Sequence, residues 1–185
     1  MTARGQSIEQ AVKVVQQGGL LVYPTEAVFG LGCDHRNEQA VQHLLKLKQR
    51  PVSKGLILVA SHIQQIMPLI RPARRTHLAR ALKTWPGHHT WVFPKSDAVP
   101  DWISGDHETL AVRVSAHPTV KQLCDQLNAP LVSTSANISG QMTPANCQEM
   151  IRIWGDQVAY YLDQPLGGLD TPSPIRMASD GSSFR

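Results

Sequence analysis

Three cations crowd a short segment that leads into an apolar run. Lys48, Arg50 and Lys54 fall within seven residues and precede the run at 55–60 (GLILVA). Arginine binds phosphate through its planar fork, and lysine binds it as a point charge. The segment therefore predicts a phosphate site at the mouth of a buried strand. The alternative is the end of a helix, where the helix dipole favours cations without any ligand.

Hydroxyl and amide groups are concentrated in the segment 133–140 (STSANISG), which continues an apolar run. Ser133, Ser135 and Asn137 offer donors and acceptors suited to a carboxylate, a ribose or a phosphate. A turn that caps the next helix would explain one or two of these residues, but not five. The segment therefore favours a binding function.

A third polar group follows the apolar run at 20–23 (LLVY). Pro24 has no N–H to donate and is expected to end this strand. Thr25 then stands at the carboxyl end of the strand, where ligands bind in α/β sheets, and Gly30 and Gly32 would let a ligand approach the backbone. A tight strand-to-helix turn, in which the glycines supply a positive φ, explains the same residues.

An arginine, Arg113, stands inside an apolar strand predicted over 110–114 (LAVRV). A buried charge needs a partner. Arg113 therefore either forms a structural ion pair or binds the carboxylate of a substrate, and the residues alone leave both roles open.

Several motifs of covalent, metal and nucleotide chemistry are missing from the sequence. It contains no GxxxxGK[ST], no complete GxGxxG, no HExxH and no GxSxG, and its eight histidines lack metal-ligand spacing. An enzyme with this sequence would bind and orient its substrates rather than attack them with a nucleophile. No protein-bound metal is expected.

Length and composition predict a single domain over residues 1–185 in the cytoplasm. The chain is 42% hydrophobic, which allows a sizeable core, and it has neither an apolar run of membrane-spanning length nor a recognisable signal segment. Its three cysteines are far apart and do not indicate a disulfide framework. Residues 1–95 carry 13 Lys or Arg against 4 Asp or Glu, which suggests a polyanionic partner such as nucleotide phosphates or RNA.

Hydrophobic periodicity predicts helices that alternate with strands, and therefore an α/β fold with a mixed sheet. The segments 95–108 and the tail beyond residue 168 are predicted to be irregular. The predicted helices are 7–17, 37–50, 74–83, 117–127 and 144–154, and the predicted strands are 20–23, 55–60, 90–93, 110–114, 130–132 and 158–162.

In this order, the polar segments closely resemble the YrdC family, the threonylcarbamoyl-adenylate synthases of tRNA modification. No single motif would suffice, but the ordered set is specific. The resemblance implies an open, twisted mixed α/β sheet flanked by helices, with a basic concave face, as in the short single-domain bacterial branch. The matching segments are 23–34 (YPTEAVFGLGCD), 48–51 (KQRP) with 54–58 (KGLIL), 85–87 (WPG) with Thr90, 111–114 (AVRV) with 117–118 (HP), and 133–140 (STSANISG).

The resemblance implies a reaction in which L-threonine, bicarbonate and ATP give L-threonylcarbamoyl-adenylate and pyrophosphate. The product would serve the formation of N6-threonylcarbamoyladenosine at position 37 of tRNA, through other tRNA-modification proteins that accept the adenylate. ATP would be a substrate that brings Mg²⁺ with it, and direct contact with tRNA or RNA is compatible with the family.

The resemblance also implies roles for individual residues. Lys48 and Arg50 match the K-x-R of the family and are expected to hold the ATP phosphates and neutralise charge during attack on the α-phosphate. Two positions depart from the family pattern: His88 replaces the second proline of Trp-Pro-Gly-Pro, and Pro174 replaces the threonine of Pro-Ser-Thr-Ile. The other expected roles are threonine binding by Thr25, Arg113 and Ser173, and ATP binding by Ser133, Ser135, Asn137 and Arg185.

Two other functions fit the same residues. The first is an RNA- or tRNA-binding module of the same fold without small-molecule turnover, whose affinity would fall steeply with salt. The second is an adenylate-forming enzyme for another amino acid, because hydroxyl groups suit serine as well as threonine.

Overall fold

A mixed sheet of nine strands forms the centre of the fold in the computed structural model, which describes residues 3–138 and 140–184. Across the sheet the strands follow the order β1-β8-β2-β3-β7-β4-β6-β5-β9. Because β1 and β9 are its two edges, the sheet is open, as the family resemblance implies. The strands are β1 (Arg4–Gly5), β2 (Leu21–Pro24), β3 (Phe29–Gly32), β4 (Ile57–Ala60), β5 (Thr90–Pro94), β6 (Thr109–Val114), β7 (Leu131–Ser135), β8 (Tyr160–Leu162) and β9 (Ile175–Met177).

Helices cover both faces of the sheet. Buried side chains of α1 and α5 form one apolar cluster, and those of α2, α3, α4 and α6 form part of another. Neighbouring residues of one strand, such as Leu58 and Val59 on β4, belong to different clusters, so the clusters lie on opposite faces. The helices of the described residues are α1 (Ile8–Gln16), α2 (Glu38–Leu47), α3 (Arg75–Leu82), α4 (Asp101–Ser104), α5 (Pro118–Leu127) and α6 (Cys147–Trp154).

Two strands and one helix lie where the sequence predicted irregular structure. β3 folds back antiparallel on β2, with Phe29 opposite Pro24. Gly30 and Gly32 lie in this strand without a positive φ, so the alternative of a strand-to-helix turn does not apply. β9 adds a parallel edge strand beside β5, and α4 lies within 95–108.

One face of the sheet changes from apolar to polar along its central strands. Leu131, Ser133 and Ser135 share a face of β7 because side chains alternate along a strand. Leu131 belongs to the apolar cluster with α1 and α5, as does Val59 on β4. Ser133 lies opposite Ile57 of β4, and both line a cavity. The helices thus cover this face at Leu131 and leave it open at Ser133.

We expect Gly32→Ala to destabilise the fold more than Gly30→Ala. A Cβ at residue 32 would lie 2.2 Å from the carbonyl oxygen of Val132, a backbone atom of the neighbouring strand. A Cβ at residue 30 would meet the Tyr23 ring at 3.1 Å, and a side chain yields more easily than a strand. Urea denaturation should show a loss of about 2 kcal/mol or more for Gly32→Ala and less than about 1 kcal/mol for Gly30→Ala. Equal losses in the two variants would contradict this explanation.

Candidate active site

A cavity of about 350 Å³ opens on the uncovered part of the sheet. Its walls come from the β2–β3 hairpin, the segment between α2 and β4, strands β6 and β7, and the tail before β9. The volume lies in the range of small-molecule sites. Arg185, for which ATP binding is predicted, lies outside the described residues. The lining includes the sequence-predicted residues Thr25, Arg50, Arg113, Ser133, Ser135, Asn137 and Ser173.

Lys48 lies behind the wall of the cavity rather than in it. Helix α2 ends one residue before Lys48, not at Arg50 as predicted, and Gln49 turns the chain with a φ of 51°. The Lys48 ammonium donates to the backbone oxygens of Ser135 and Asn137, the latter at 2.8 Å, and to Asn137 Oδ1 at 3.3 Å. Its side chain is only 2% exposed, and it is the one predicted site residue of the described chain that does not line the cavity.

The bonds of Lys48 shape the polar segment that faces the cavity. Burial, and then the charge of Arg50, lower the pKa of Lys48 from 10.5 to about 8. Three oxygen acceptors match the three donors of the ammonium and offset part of this cost. On the cavity side, Ser135 Oγ donates to Asn137 Oδ1 at 2.6 Å. Lys48 therefore holds segment 135–137 in the conformation that presents Ser135 and Asn137.

Arg50 is the cation that faces the cavity from this wall. Its guanidinium donates to the carbonyl oxygen of Gly55 at 2.9 Å and to that of Lys54 at 3.4 Å. Burial lowers the pKa of Arg50, but an arginine remains charged at neutral pH. These bonds to the following turn orient a fixed positive charge in the cavity that Ser133 and Ser135 also line.

Arg113 both forms an ion pair and lines the cavity. Its Nη2 lies 3.6 Å from Glu26 Oε2, which is too long for a hydrogen bond. The other carboxylate oxygen, Oε1, accepts a hydrogen bond from Ser115 Oγ at 2.6 Å. Burial raises the pKa of Glu26, but the Arg113 charge and the Ser115 bond outweigh it, and the net pKa lies below the ordinary value. Of the two roles that the sequence left open for Arg113, the structural ion pair is therefore present. Binding of a substrate carboxylate stays a prediction.

Hydrogen bonds fix two further hydroxyls of the cavity lining, those of Thr25 and Ser173. Thr25 Oγ1 donates to the carbonyl oxygen of Val28 at 2.6 Å, across the hairpin that the sequence analysis missed. Ser173 Oγ lies 3.0 Å from Thr90 Oγ1, and both residues are buried. His88 also lines the cavity, with Nε2 donating to the carbonyl oxygen of Thr171 at 2.7 Å. The tail that carries Ser173 is therefore held at the cavity by two contacts.

The supporting residues were not predicted because their partners are distant in sequence. Glu26 and Ser115 are 89 positions apart, and Thr90 and Ser173 are 83 positions apart. In the sequence, Glu26 is recognisable only as an acidic residue next to Thr25. No neighbouring residue indicates that its partner is Arg113.

Neither a metal cluster nor a membrane helix is found in the described part of the chain. Among residues 3–138 and 140–184, no three His, Cys, Asp or Glu side chains are grouped so that they could hold a metal ion. No helix there is long and apolar enough to cross a membrane. All three cysteines are buried and free.

The fold and cavity define an α/β protein that presents cations and hydroxyls on an uncovered face of an open sheet. A family model for Sua5, YciO and YrdC, described as "Telomere recombination", matches residues 13–183. The chain therefore belongs to the Sua5/YciO/YrdC family.

Two curated relatives match nearly the whole chain. The threonylcarbamoyl-AMP synthase of Pseudoalteromonas translucida (strain TAC 125) is 47% identical over 181 residues, which cover 97% of each protein. The threonylcarbamoyl-AMP synthase of Coxiella burnetii (strain RSA 493 / Nine Mile phase I) is 46% identical over 180 residues, again 97% of each.

Two solved structures share the fold. P. abyssi Sua5 complexed with L-threonine superposes with a TM-score of 0.87 at 28% identity, and the match covers 97% of this chain and 54% of that one. The chain thus spans about half the length of that protein. E. coli YciO superposes with a TM-score of 0.82 at 22% identity, covering 96% of this chain and 88% of that one.

The buried ammonium of Lys48 should make stability depend on alkaline pH. Because its folded pKa of about 8 lies below the unfolded value of 10.5, the unfolded chain binds more protons between these values. The stability of the wild type should therefore rise relative to Lys48→Met between pH 8 and 10.5, by roughly 2–3 kcal/mol. Urea denaturation at several pH values measures this difference.

Lys48→Arg is the control for this experiment. A guanidinium stays protonated throughout that range, so the difference between Lys48→Arg and Lys48→Met should not change with pH. A wild-type curve that also runs parallel to Lys48→Met would show that the ammonium is not buried as described.

Proposed function

We propose that this chain synthesises L-threonylcarbamoyl-adenylate from L-threonine, bicarbonate and ATP, with release of pyrophosphate. The observation that carries the proposal is a single cavity whose lining brings together the guanidinium groups of Arg50 and Arg113 and the hydroxyls of Thr25, Ser133 and Ser135. Relatives that are 46–47% identical over nearly the full length are named threonylcarbamoyl-AMP synthase, which supports the same reaction.

The reaction needs no nucleophile from the protein. The threonine amine attacks the carbon derived from bicarbonate, which gives a carbamate and water. A carbamate oxygen then attacks the α-phosphate of ATP in line, and pyrophosphate leaves. Catalysis rests on proximity and on neutralising the charge that develops at the phosphates.

Arg50 and Lys48 supply that positive charge. Arg50 faces the cavity and is oriented by the carbonyl oxygen of Gly55. Lys48 reaches a phosphate oxygen when its ammonium exchanges an oxygen of Asn137 for it. Mg²⁺ arrives on ATP, and Ser133, Ser135 and Asn137, together with Arg185, complete the nucleotide end.

Arg113, Thr25 and Ser173 hold threonine. A guanidinium fork suits the threonine carboxylate, and the two hydroxyls suit its amine and side chain. Residues 1–185 act as one YrdC-like unit in the cytoplasm, with a basic concave face. The product is consumed in the formation of N6-threonylcarbamoyladenosine at position 37 of tRNA by other tRNA-modification proteins.

Pyrophosphate release from ATP tests the proposal. We expect release only when threonine and bicarbonate are both present, and a loss of about 100-fold or more in Arg50→Ala and Lys48→Ala, because each removes a charge from the phosphate end. Arg36→Ala is the matched control: Arg36 pairs with Asp34 at 2.8 Å outside the cavity lining, so the variant should retain full activity.

Circular dichroism establishes that each variant is folded. A folded Lys48→Ala/Arg50→Ala double variant with wild-type turnover would refute the roles of these two residues. Salt-sensitive RNA binding without pyrophosphate release would instead support the RNA-binding module of the same fold.

A further inference from the structure

Arg113 is buried, yet its guanidinium forms no hydrogen bond with any residue among 3–138 and 140–184. The residue is 6% exposed, and its Nε is shielded from solvent without a partner. Glu26 lies nearest, at 3.6 Å, beyond hydrogen-bond distance. Buried donors without acceptors are costly, so the fold maintains a charged fork whose N–H groups are unused.

Ser115 holds Glu26 away from this fork. Its hydroxyl donates to Glu26 Oε1 at 2.6 Å and accepts the backbone N–H of His117 at 3.0 Å, which fixes it at the start of α5. Glu26 Oε2, the oxygen nearer Arg113, has no hydrogen-bond partner. The carboxylate thus offsets the charge of Arg113 without occupying its donors.

We propose that Glu26 and Ser115 are positioning residues for the substrate carboxylate. Glu26 compensates the Arg113 charge. Ser115 keeps the Glu26 carboxylate beyond hydrogen-bond distance of the guanidinium, so that a substrate carboxylate can bind there in a bidentate manner. The inference rests on the proposed function, which supplies threonine as the ligand. Because no group among residues 3–138 and 140–184 accepts a hydrogen bond from this guanidinium, threonine binds without displacing a protein acceptor.

Ser115→Ala tests the gap directly. Without the hydroxyl, Glu26 is free to move toward Arg113 and to occupy its fork, and threonine must then compete with it. We expect KM for threonine to rise about 10- to 100-fold, the worth of a charged hydrogen bond. The KM for ATP and kcat should stay near wild type, because ground-state binding of one substrate is affected. The affinity of the variant for threonine, measured by calorimetry, should fall by the same factor.

Ser96→Ala is the matched control. The Ser96 hydroxyl has the same pattern of contacts, donating to the carbonyl oxygen of Pro68 at 2.6 Å and accepting the backbone N–H of Ala98 at 3.3 Å, but it does not line the cavity. This variant should lose some stability and keep the wild-type KM for threonine.

Glu26→Gln is a second variant, which keeps the shape of the side chain and removes its charge. With the Arg113 charge uncompensated, thermal stability should fall, whereas threonine affinity should rise, because the substrate carboxylate no longer shares the guanidinium with a second negative charge. If Ser115→Ala does not fold, the threonine affinity of Glu26→Gln decides.

The outcomes separate this inference from the proposed function. A folded Ser115→Ala with wild-type KM for threonine, or with equal rises in KM for threonine and ATP, overturns the positioning role and leaves the proposed function intact. If Ser115→Ala does not fold, an unchanged threonine affinity in Glu26→Gln overturns the positioning role and again leaves the proposed function intact. A wild-type protein without threonine-dependent pyrophosphate release overturns the proposed function, and the inference falls with it.

Discussion

A buried ammonium joins the two halves of the site. Lys48 Nζ bonds to the backbone oxygens of Ser135 and Asn137, which are 87 and 89 positions away in the sequence. A lysine charge leaves water at a high cost unless oxygen acceptors surround it, so the contact is favourable only when segment 135–137 presents its carbonyls. The chain after α2 and the end of β7 therefore fix each other. Arg50, two residues beyond Lys48, is thereby held at the wall of the cavity.

The position of the cavity follows from the helices that do not cover it. α1 and α5 pack on the sheet where Leu131 and Val59 are buried, and the strands continue beyond this cluster. Large apolar side chains on the continuing part would expose a patch to water. Serine side chains can face water there without forming such a patch. Ser133 and Ser135 also supply hydrogen-bonding groups to the cavity. The polar end of β7, which is unusual for a buried strand, therefore suits the part of the sheet that no helix covers.

Local signals predicted most of the elements, because each signal depends on a few neighbouring residues. Ser7 and Asn37, the first residues of two predicted helices, accept hydrogen bonds from the backbone N–H groups three residues ahead and so cap those helices. β3 was missed because its two glycines resemble a loop, whereas Gly32 is needed where a neighbouring carbonyl oxygen leaves no room for a Cβ. Partnerships such as Glu26 with Arg113 arise only when β6 and the hairpin meet, so no local pattern contains them.

The charges of the two buried cations, Lys48 and Arg113, are compensated in different ways. This difference bears on which ligand suits each of them. The donors of Lys48 are used by carbonyl oxygens, which carry no net charge, so the surroundings of Lys48 and Arg50 keep a net positive charge. Arg113 faces a full negative charge on Glu26, so its surroundings are close to neutral, and its guanidinium forms no hydrogen bond with the described residues. A triphosphate gains from the net charge and can compete for a lysine donor. A zwitterionic amino acid gains little from net charge and depends on directed hydrogen bonds. Under the proposed function, this difference in compensation favours the triphosphate beside Lys48 and Arg50 and the amino acid beside Arg113.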